Sequence, residues 1–219
     1  MSVIASLSKD ECEKIKMKKL SVFLVFVLVI SFLGCDSEKP QPSAQPAASE
    51  SVTGRVALQK MIAPAHLWAA DTKPVSMKSN AGKDNLGRDG KSAFWQAVFV
   101  SASKQQSQNF SWSGLAGQDA PPKGVDHGVP DSYNPSNRTM QPFDLNFLKA
   151  DSDKAFEVAQ EHGGKQLLAK NPNQQVFYIL DWSGSENLLR WHVIYGASVN
   201  NAQLTVIVNA ATGEFLHRE

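Results

Sequence analysis

The chain has 219 residues, with 22 Lys and Arg against 21 Asp and Glu, and 42% of its residues are apolar. This composition is typical of a globular protein and excludes a disordered, collagen-like or disulfide-rich chain. A net charge of +1 provides no strong attraction to a polyanion, so we predict no nucleic-acid partner.

The N-terminus carries a basic segment followed by an apolar one. Residues 20–33 form an apolar run of 14 residues directly after Lys18 and Lys19. A membrane-spanning helix needs about 20 apolar residues, whereas a shorter run behind a basic segment is typical of a signal peptide. We therefore predict a signal peptide over residues 1–34, the alternative being a short buried helix. Acidic residues before Met17 do not fit a basic region, so we expect translation to begin at Met17.

The apolar run ends in the sequence Phe-Leu-Gly-Cys at residues 32–35, which is similar to the lipobox of bacterial lipoproteins. The resemblance implies cleavage before Cys35 and attachment of a diacylglycerol group to its thiol. The protein would then be held by lipid on the periplasmic side of the cell envelope. Asp36 stands where such proteins carry a signal for retention in the inner membrane. Because no cysteine follows Cys35, the mature chain can form no intrachain disulfide.

Residues 35–52 are polar and rich in Pro, Ser and Ala, with no apolar cluster. This composition is typical of a flexible linker and cannot form a core. We predict a disordered tether between the lipid anchor and a folded body.

The remaining chain contains two segments of similar pattern, residues 53–114 and 151–219. Each begins with apolar residues at helical spacing and has a helix breaker near the middle of that pattern, Pro64 in the first and Gly163-Gly164 in the second. In the second segment Ser152 precedes the charged residue Asp153, which favours Ser152 as the helix N-cap. We therefore expect each unit to open with a bent or split helix.

Strand patterns follow each predicted helix. Residues 93–100 and 189–196 are rich in β-branched and aromatic residues, and Trp95 and Trp191 occupy corresponding places in them. Residues 176–182 form a further strand pattern. The predicted fold class is therefore α+β, with two tandem units that each pack a helix on a small antiparallel sheet. Units of this size are marginally stable alone, so the two should pack on each other.

Residues 115–150 form a connection rich in Pro and Gly between the two units. Connections of this length are usually functional or disordered. Its last part, residues 143–148, alternates apolar and polar positions. We expect this part to be an extra strand or the lead-in to the second helix.

The last strands of the second unit surround the sequence Asn-Ala-Ala-Thr-Gly-Glu at residues 209–214, which predicts a hairpin turn closed by Gly213. With this turn, residues 151–219 resemble a PepSY domain, and residues 53–114 resemble one through the internal repeat. The resemblance implies an extracytoplasmic protein that binds or restrains partners. It implies no shared catalytic residues.

The connection contains the candidate chemical site Asp126, His127 and Asp131. A histidine between two carboxylates is suited to metal binding or to acid–base chemistry. The chain has no nucleophile elbow, no phosphate-binding loop and no paired-histidine zinc motif. We therefore predict no catalytic residue, no metal and no cofactor.

Four tryptophans of the two units have two interpretations. They pack in the core or between the units, or they line an aromatic binding cleft. These residues are Trp95, Trp112, Trp182 and Trp191.

The sequence therefore predicts a membrane-anchored lipoprotein that binds a protein or a small ligand without catalysis. The alternative is an extracytoplasmic hydrolase or metal-dependent enzyme that uses the 115–150 connection.

Overall fold

The computed structural model describes residues 48–82 and 85–219. The predicted signal peptide, the lipidation site Cys35 and most of the predicted tether lie outside the described residues. Within the described ranges, no helix has the length and apolar character needed to cross a membrane.

The described chain combines helices with antiparallel strands, which confirms the α+β prediction. Its first half contains β1 (Val52–Thr53), α1 (Gly54–Trp68), β2 (Lys73–Ser79), β3 (Lys91–Ser92), β4 (Phe94–Ser101), β5 (Gln106–Ser113), β6 (Gly124–His127) and β7 (Asp131–Ser132). Its second half contains a 3-10 helix (Leu145–Phe147), α2 (Ser152–Ala159), a π-helical turn (Gln160–Gly164), α3 (Lys165–Lys170), β8 (Gln175–Ser183), β9 (Leu188–Ser198), β10 (Asn201–Asn209) and β11 (Phe215–Arg218).

One nine-stranded antiparallel sheet contains strands from both halves. Its order is β11-β10-β9-β8-β2-β4-β5-β6, with β7 also paired to β5, while β1 and β3 form a separate pair. Strands β2 and β8 join the halves by pairing residues 76–78 with residues 179–181. Pairing these strands removes the two exposed edges that separate small sheets would leave. The strands therefore form a single sheet where two small sheets were expected.

The strand order is the same on either side of the β2–β8 contact. Strands β2, β4, β5 and β6 follow one another outward in the first half, as β8, β9, β10 and β11 do in the second. Helix α1 packs on β4 and β5, and α2 packs on β9 and β10, which are the corresponding strands. The expected tandem repeat stays a prediction.

Two tryptophans meet at the centre of the core between the helices and the sheet. Trp95 and Trp191 are fully buried and their rings pack edge to face at 6.4 Å. Each indole N–H donates a hydrogen bond to a backbone carbonyl, that of Val52 or that of Ala150, at 3.0 Å. Gly54 lies so close that a Cβ there would be 2.5 Å from the Trp191 ring. The first turn of α1 therefore needs glycine at this position.

The N-termini of α1 and α2 are joined by hydrogen bonds. The cap of α2 is Asp151, one residue before the predicted Ser152, and its carboxylate accepts from the N–H of Ser152 at 2.7 Å and of Arg55 at 2.8 Å. Ser152 is buried and its Oγ accepts from the N–H of Gly54 at 2.8 Å and donates to the carbonyl of Gly90 at 2.5 Å. Asp151 thus places a negative charge at both helix N-termini, where the helix dipoles favour it.

The two helical segments differ at their predicted breakers. Helix α1 continues through Pro64 as one element. The second segment is interrupted by the π-helical turn, where His162 leaves the helical region and Gly163 has a φ of 110°. His162 stacks on Phe215 of β11 with 3.7 Å between ring centroids. The second helix is therefore split, as expected.

The 115–150 connection passes along the outer edge of β5 and then over part of the sheet face opposite α1, where it packs against Val98 and Val100 of β4. Tyr133 and Met140 pack with Val75 and Val100 in a small apolar cluster separate from the main core. The N–H of Phe143 then donates to a carbonyl of β2, and the 3-10 helix leads into α2. Residues 143–148 form no strand, so of the two expectations the lead-in is correct.

The predicted turn at residues 209–214 is confirmed. The side chain of Asn209 accepts from the N–H of Ala211 at 2.8 Å and of Thr212 at 3.2 Å. Gly213 has a φ of 78°, and the N–H of Asn209 donates to the carbonyl of Glu214 at 2.8 Å. The turn therefore closes the β10–β11 hairpin through local hydrogen bonds and one left-handed glycine.

Candidate functional site

Helices α1 and α2 pack on one face of the sheet, and α3 packs against the same core. The opposite face, here called the open face, carries no helix of the described chain. Successive side chains of a strand point to opposite faces, so the strand register shows which residues share the open face. One row across it contains Ser111, Gln96, Lys78, Ile179, His192, Ile207 and His217. The next row contains Asn109, Val98, Ser76, Asp181, Arg190 and Asn209.

A depression of about 400 Å³ lies on this face over β2, β4, β5 and β8. Its polar lining comes from four side chains and its apolar lining includes Val98 and Ile179. The four polar residues are Ser76, Lys78, Gln96 and Asn109. Lys78 and Asn109 are exposed and the other two are half-buried. The depression is thus open to solvent at the centre of the sheet.

The polar side chains of the depression make no hydrogen bond to any other described group. Most buried polar side chains elsewhere in the described chain are bonded within the protein, although Arg55 Nε and Gln108 Oε1 have no partner. The amide of Gln108 donates to the carbonyl of Gly128 at 2.7 Å, and the hydroxyl of Ser79 accepts from the N–H of Tyr178 at 2.9 Å. The depression therefore presents donors and acceptors that solvent or a partner can use.

The other half of the open face carries a group of charged residues that bond one another. The Asp181 Oδ1 atom accepts from Arg190 Nε at 2.9 Å and lies 3.1 Å from His192 Nε2, while Arg190 also donates to Glu186 at 3.1 Å. Partial burial raises the pKa of Asp181, but the hydrogen bonds and charges of His192 and Arg190 outweigh it and hold that pKa below its usual range. The charged side chains in this half of the open face therefore hydrogen-bond one another.

Asp126 and Asp131 lie apart on the outer edge of the sheet. Asp126 pairs with Ser111 and Asp131 pairs with Ser107, four residues away along β5. At the rise of a β-strand that spacing corresponds to about 13 Å. Each carboxylate accepts the backbone N–H of the following residue.

His127 does not join these carboxylates. It follows Asp126 on β6, so its ring points to the opposite face, where it lies 5.8 Å from Phe110 and its Nδ1 atom lies 3.0 Å from the Gln108 amide. The three residues do not converge, and the described ranges contain no group of three His, Cys, Asp or Glu side chains placed to hold a metal ion.

The tryptophans are packed rather than arranged around a cleft. Trp95 and Trp191 are 0% exposed and Trp112, which pairs with Trp95 across β4 and β5, is 3% exposed. Trp182 is half-buried and packs edge to face against Phe147 at 5.4 Å. This arrangement agrees with the packing interpretation.

Sequence reasoning did not select the residues of the open face. Gln96 and Val98 alternate with buried residues along β4, and that alternation is visible in the sequence. Which of the two alternating sets the helices cover depends on where α1 and α2 pack. The open face therefore becomes recognisable only in the folded chain.

No protein-family model and no curated protein matches this chain, so the PepSY resemblance stays a prediction. Among solved structures, the chain is similar to a crystal structure described as a "putative lipoprotein" from Clostridium difficile 630. The two share 12% identity with a TM-score of 0.49, over 81% of this chain and 95% of the other. A similarity this low establishes neither a common fold nor a common function.

Proposed function

We propose that the protein is a lipid-anchored, extracytoplasmic binding module whose open face takes up a partner without transforming it. The observation that carries this proposal is the depression, whose polar side chains point out of a sheet braced from behind by both helices. Ligand-binding surfaces are commonly preformed on such rigid elements. The chemical groups offered there are amides, a hydroxyl and one ammonium, which suit recognition.

The absence of catalysis is part of the same proposal. The candidate acid–base residues Asp126 and His127 face opposite sides of β6, and Asp131 lies farther along the edge. A general base must come within hydrogen-bonding reach of the group that it assists. This placement supports a binding role over the alternative of a hydrolase that uses the 115–150 connection.

The predicted anchor would keep the body close to the membrane. Cys35 is separated from Ala48, the first described residue, by 12 residues, so the two lie at most about 47 Å apart when the chain is fully extended. The chain joins the body at the end of β5, where the N–H of Glu50 donates to the carbonyl of Gly114 at 2.8 Å. We therefore expect the partner to lie in the periplasm near the membrane, which Asp36 suggests is the inner one.

Replacing the lipidated cysteine tests the anchor. We expect Cys35→Ser to abolish lipid attachment and to leave the protein unprocessed or soluble, because that thiol is the proposed attachment atom. The measurement is membrane fractionation combined with the intact mass of the mature protein. Cys12→Ser is the matched control, since Cys12 precedes the proposed start. An unchanged lipidated mass for Cys35→Ser would refute the anchor.

Recovery of a partner tests the binding role. Membranes from cells that natively make the full-length protein are solubilised in mild detergent, and the protein is recovered through a C-terminal tag. We expect a stoichiometric companion whose recovery falls when residues of the open face are replaced. A companion that depends instead on the helix-covered side would contradict the proposed surface.

A further inference from the structure

We propose that the outer side of α1 lies on the surface of the membrane that holds the proposed lipid anchor. The occupant of this helix face is then the headgroup region of a bilayer that contains anionic lipid. The inference rests on the anchor in the proposed function and adds an orientation, with the helix side of the sheet toward the membrane and the open face toward the periplasm.

Four exposed residues of α1 form a stripe on the side of the helix away from the core. They are Val56, Lys60, Ala63 and Leu67. Their spacing of four, three and four residues places them on one side of the helix, over a length of about 16 Å. Leu67 is 90% exposed and Val56 is 39% exposed. We call these four residues the outer stripe.

Val129 adds an exposed apolar side chain next to α1. It is 86% exposed and follows β6, a strand that contacts α1. Val125 and His127 of β6 lie on the helix side of the sheet, and the N–H of Gly128 extends the pairing to the carbonyl of Asn109 at 2.9 Å. Alternate residues of an extended chain share a face, so Val129 extends the apolar surface on the side of α1.

The charges on α1 distinguish this surface from scattered exposed apolar residues, which need no partner. Residues 51–70 contain Arg55, Lys60 and His66 but no Asp or Glu. The flanking Glu50 lies 3.8 Å from Lys60, and the flanking Asp71 is bonded to the end of β4 and the turn after it. Basic and apolar side chains without acidic ones are typical of helices that lie on anionic membranes.

The outer surface of α2 and the π-helical turn has the opposite character. Its exposed residues include Asp153, Glu157 and Glu161 against the single base Lys154. Along α2, which is described throughout, no large apolar side chain is exposed. An anionic membrane surface would repel this acidic group, so the charges favour contact through α1 over contact through α2.

The C-terminal end of α1 carries two further residue types that suit a membrane interface. Trp68 is half-buried, and the Nζ atom of Lys104 lies 5.5 Å from the centre of its ring and donates to its carbonyl. Tryptophan and lysine both place an apolar part and a polar group on either side of such an interface. They adjoin Leu67, the most exposed residue of the outer stripe.

The tether permits this contact and makes a weak one sufficient. Cys35 and Ala48 lie at most about 47 Å apart, whereas α1 is only about 22 Å long. Helix α1 begins four residues after Glu50, where the chain joins the end of β5. A linked surface has a high effective concentration, so two apolar side chains can dock the anchored body although they would not recruit a free one.

A fluorescent label at Leu67 tests the contact. The lipidated protein is placed on vesicles of phosphatidylethanolamine and phosphatidylglycerol, and its introduced cysteine is the only unmodified thiol, because Cys35 carries the lipid. We expect a label at Leu67→Cys to be quenched by nitroxide lipid at least about twofold more than one at Lys154→Cys, since interfacial helices lie about 5–10 Å deep. Equal quenching at the two sites would contradict the proposal.

Lysine acylation gives a readout without a label. On the same vesicles Lys60 should react at least about threefold more slowly than in a soluble form that begins after Cys35, while Lys154 should react equally in both. Ala63→Glu should remove this protection by placing a carboxylate in the outer stripe. Ala169→Glu, the same change at an exposed position of α3, is the matched control and should keep it. Circular dichroism verifies that both variants are folded.

The remaining outcomes separate this inference from the proposed function. An intact mass without lipid would refute the anchor, whereas a lipidated protein with Lys60 unprotected would refute only the contact of α1. Protection in native membranes but not on pure lipid vesicles would assign the outer stripe to a protein partner. Protection that rises with the concentration of the soluble form would assign it to a second copy of this chain.

Discussion

Ser152 is the residue whose removal should most directly weaken the link between the two halves. It is fully buried, and its hydroxyl bonds to Gly54 at the start of α1 and to Gly90 before β3. Ser152→Ala removes both bonds and introduces no new bulk. The N–H of Gly54 and the carbonyl of Gly90 then remain buried without this partner.

The magnitude follows from these two groups. A buried polar group that loses its hydrogen bond destabilises the folded state by about 1–3 kcal/mol. Two such groups, with some relaxation, should lower the free energy of unfolding by about 2–4 kcal/mol. Because a domain is stable by only about 5–15 kcal/mol, this loss is readily measured.

Urea unfolding of a soluble form that begins after Cys35 measures this effect. Tryptophan fluorescence is the probe, since Trp95 and Trp191 lie in the core beside Gly54. The matched control is Ser198→Ala, the same substitution at an exposed position near the end of β9, which should change the free energy by less than about 0.5 kcal/mol. Equal effects of the two substitutions would refute the role given to Ser152.

Two further substitutions test the backbone and the charged group. Gly87→Ala should lower the free energy of unfolding by about 2 kcal/mol or more, because Gly87 has a φ of 70° and a Cβ would lie 2.2 Å from the carbonyl oxygen of Val176. Gly82→Ala, where a Cβ meets nothing within 4 Å, is its control, and equal urea midpoints would contradict the prediction. Asp181→Asn should lower the free energy of unfolding at pH 7 and weaken its decrease at acid pH, because the pKa of Asp181 is lowered in the folded protein. The stabilisation by the Asp181 carboxylate is complete above the unfolded pKa of about 3.9 and is lost as the pH falls through the folded pKa. The free energies of unfolding at pH 7 and pH 3 measure this difference. The control Asp119→Asn, at an exposed position, should leave the difference between the two pH values unchanged.

Local patterns in the sequence predicted the elements well where the physical cause is local. The β-branched and aromatic residues of 93–100 and 189–196 predicted β4 and most of β9, and Gly213 predicted the left-handed turn. The hydrogen bonds of such a turn lie within six residues, so no distant contact is needed to predict it.

Contacts between distant residues were harder to predict. Ser152 follows the N-cap and is not the cap itself, because its hydroxyl bonds to Gly54 and Gly90 from the other half of the chain. The pairing of β2 with β8 likewise joins segments about 100 residues apart. Neither the hydroxyl contacts of Ser152 nor the pairing of β2 with β8 produces a periodic pattern in the sequence.

The candidate site shows the same limit. Asp126 and His127 are adjacent in the sequence, which suggested a shared site. Both lie on β6, where successive side chains point to opposite faces of the sheet. Their side chains therefore cannot form one site. The residues that do share a surface, Lys78, Gln96 and Asn109, come from three strands and carry no joint motif.

The sequence by itself indicated the α+β class, the helices and several strands of each half, and the candidate lipidation residue Cys35, because each depends on neighbouring residues. Only the tertiary structure decided that the strands form one sheet and that both helices pack on the same side of it. Strand periodicity divides side chains into two sets without saying which set is covered. Packing of α1 and α2 on the Trp95 side makes that choice and leaves Lys78 on the open face.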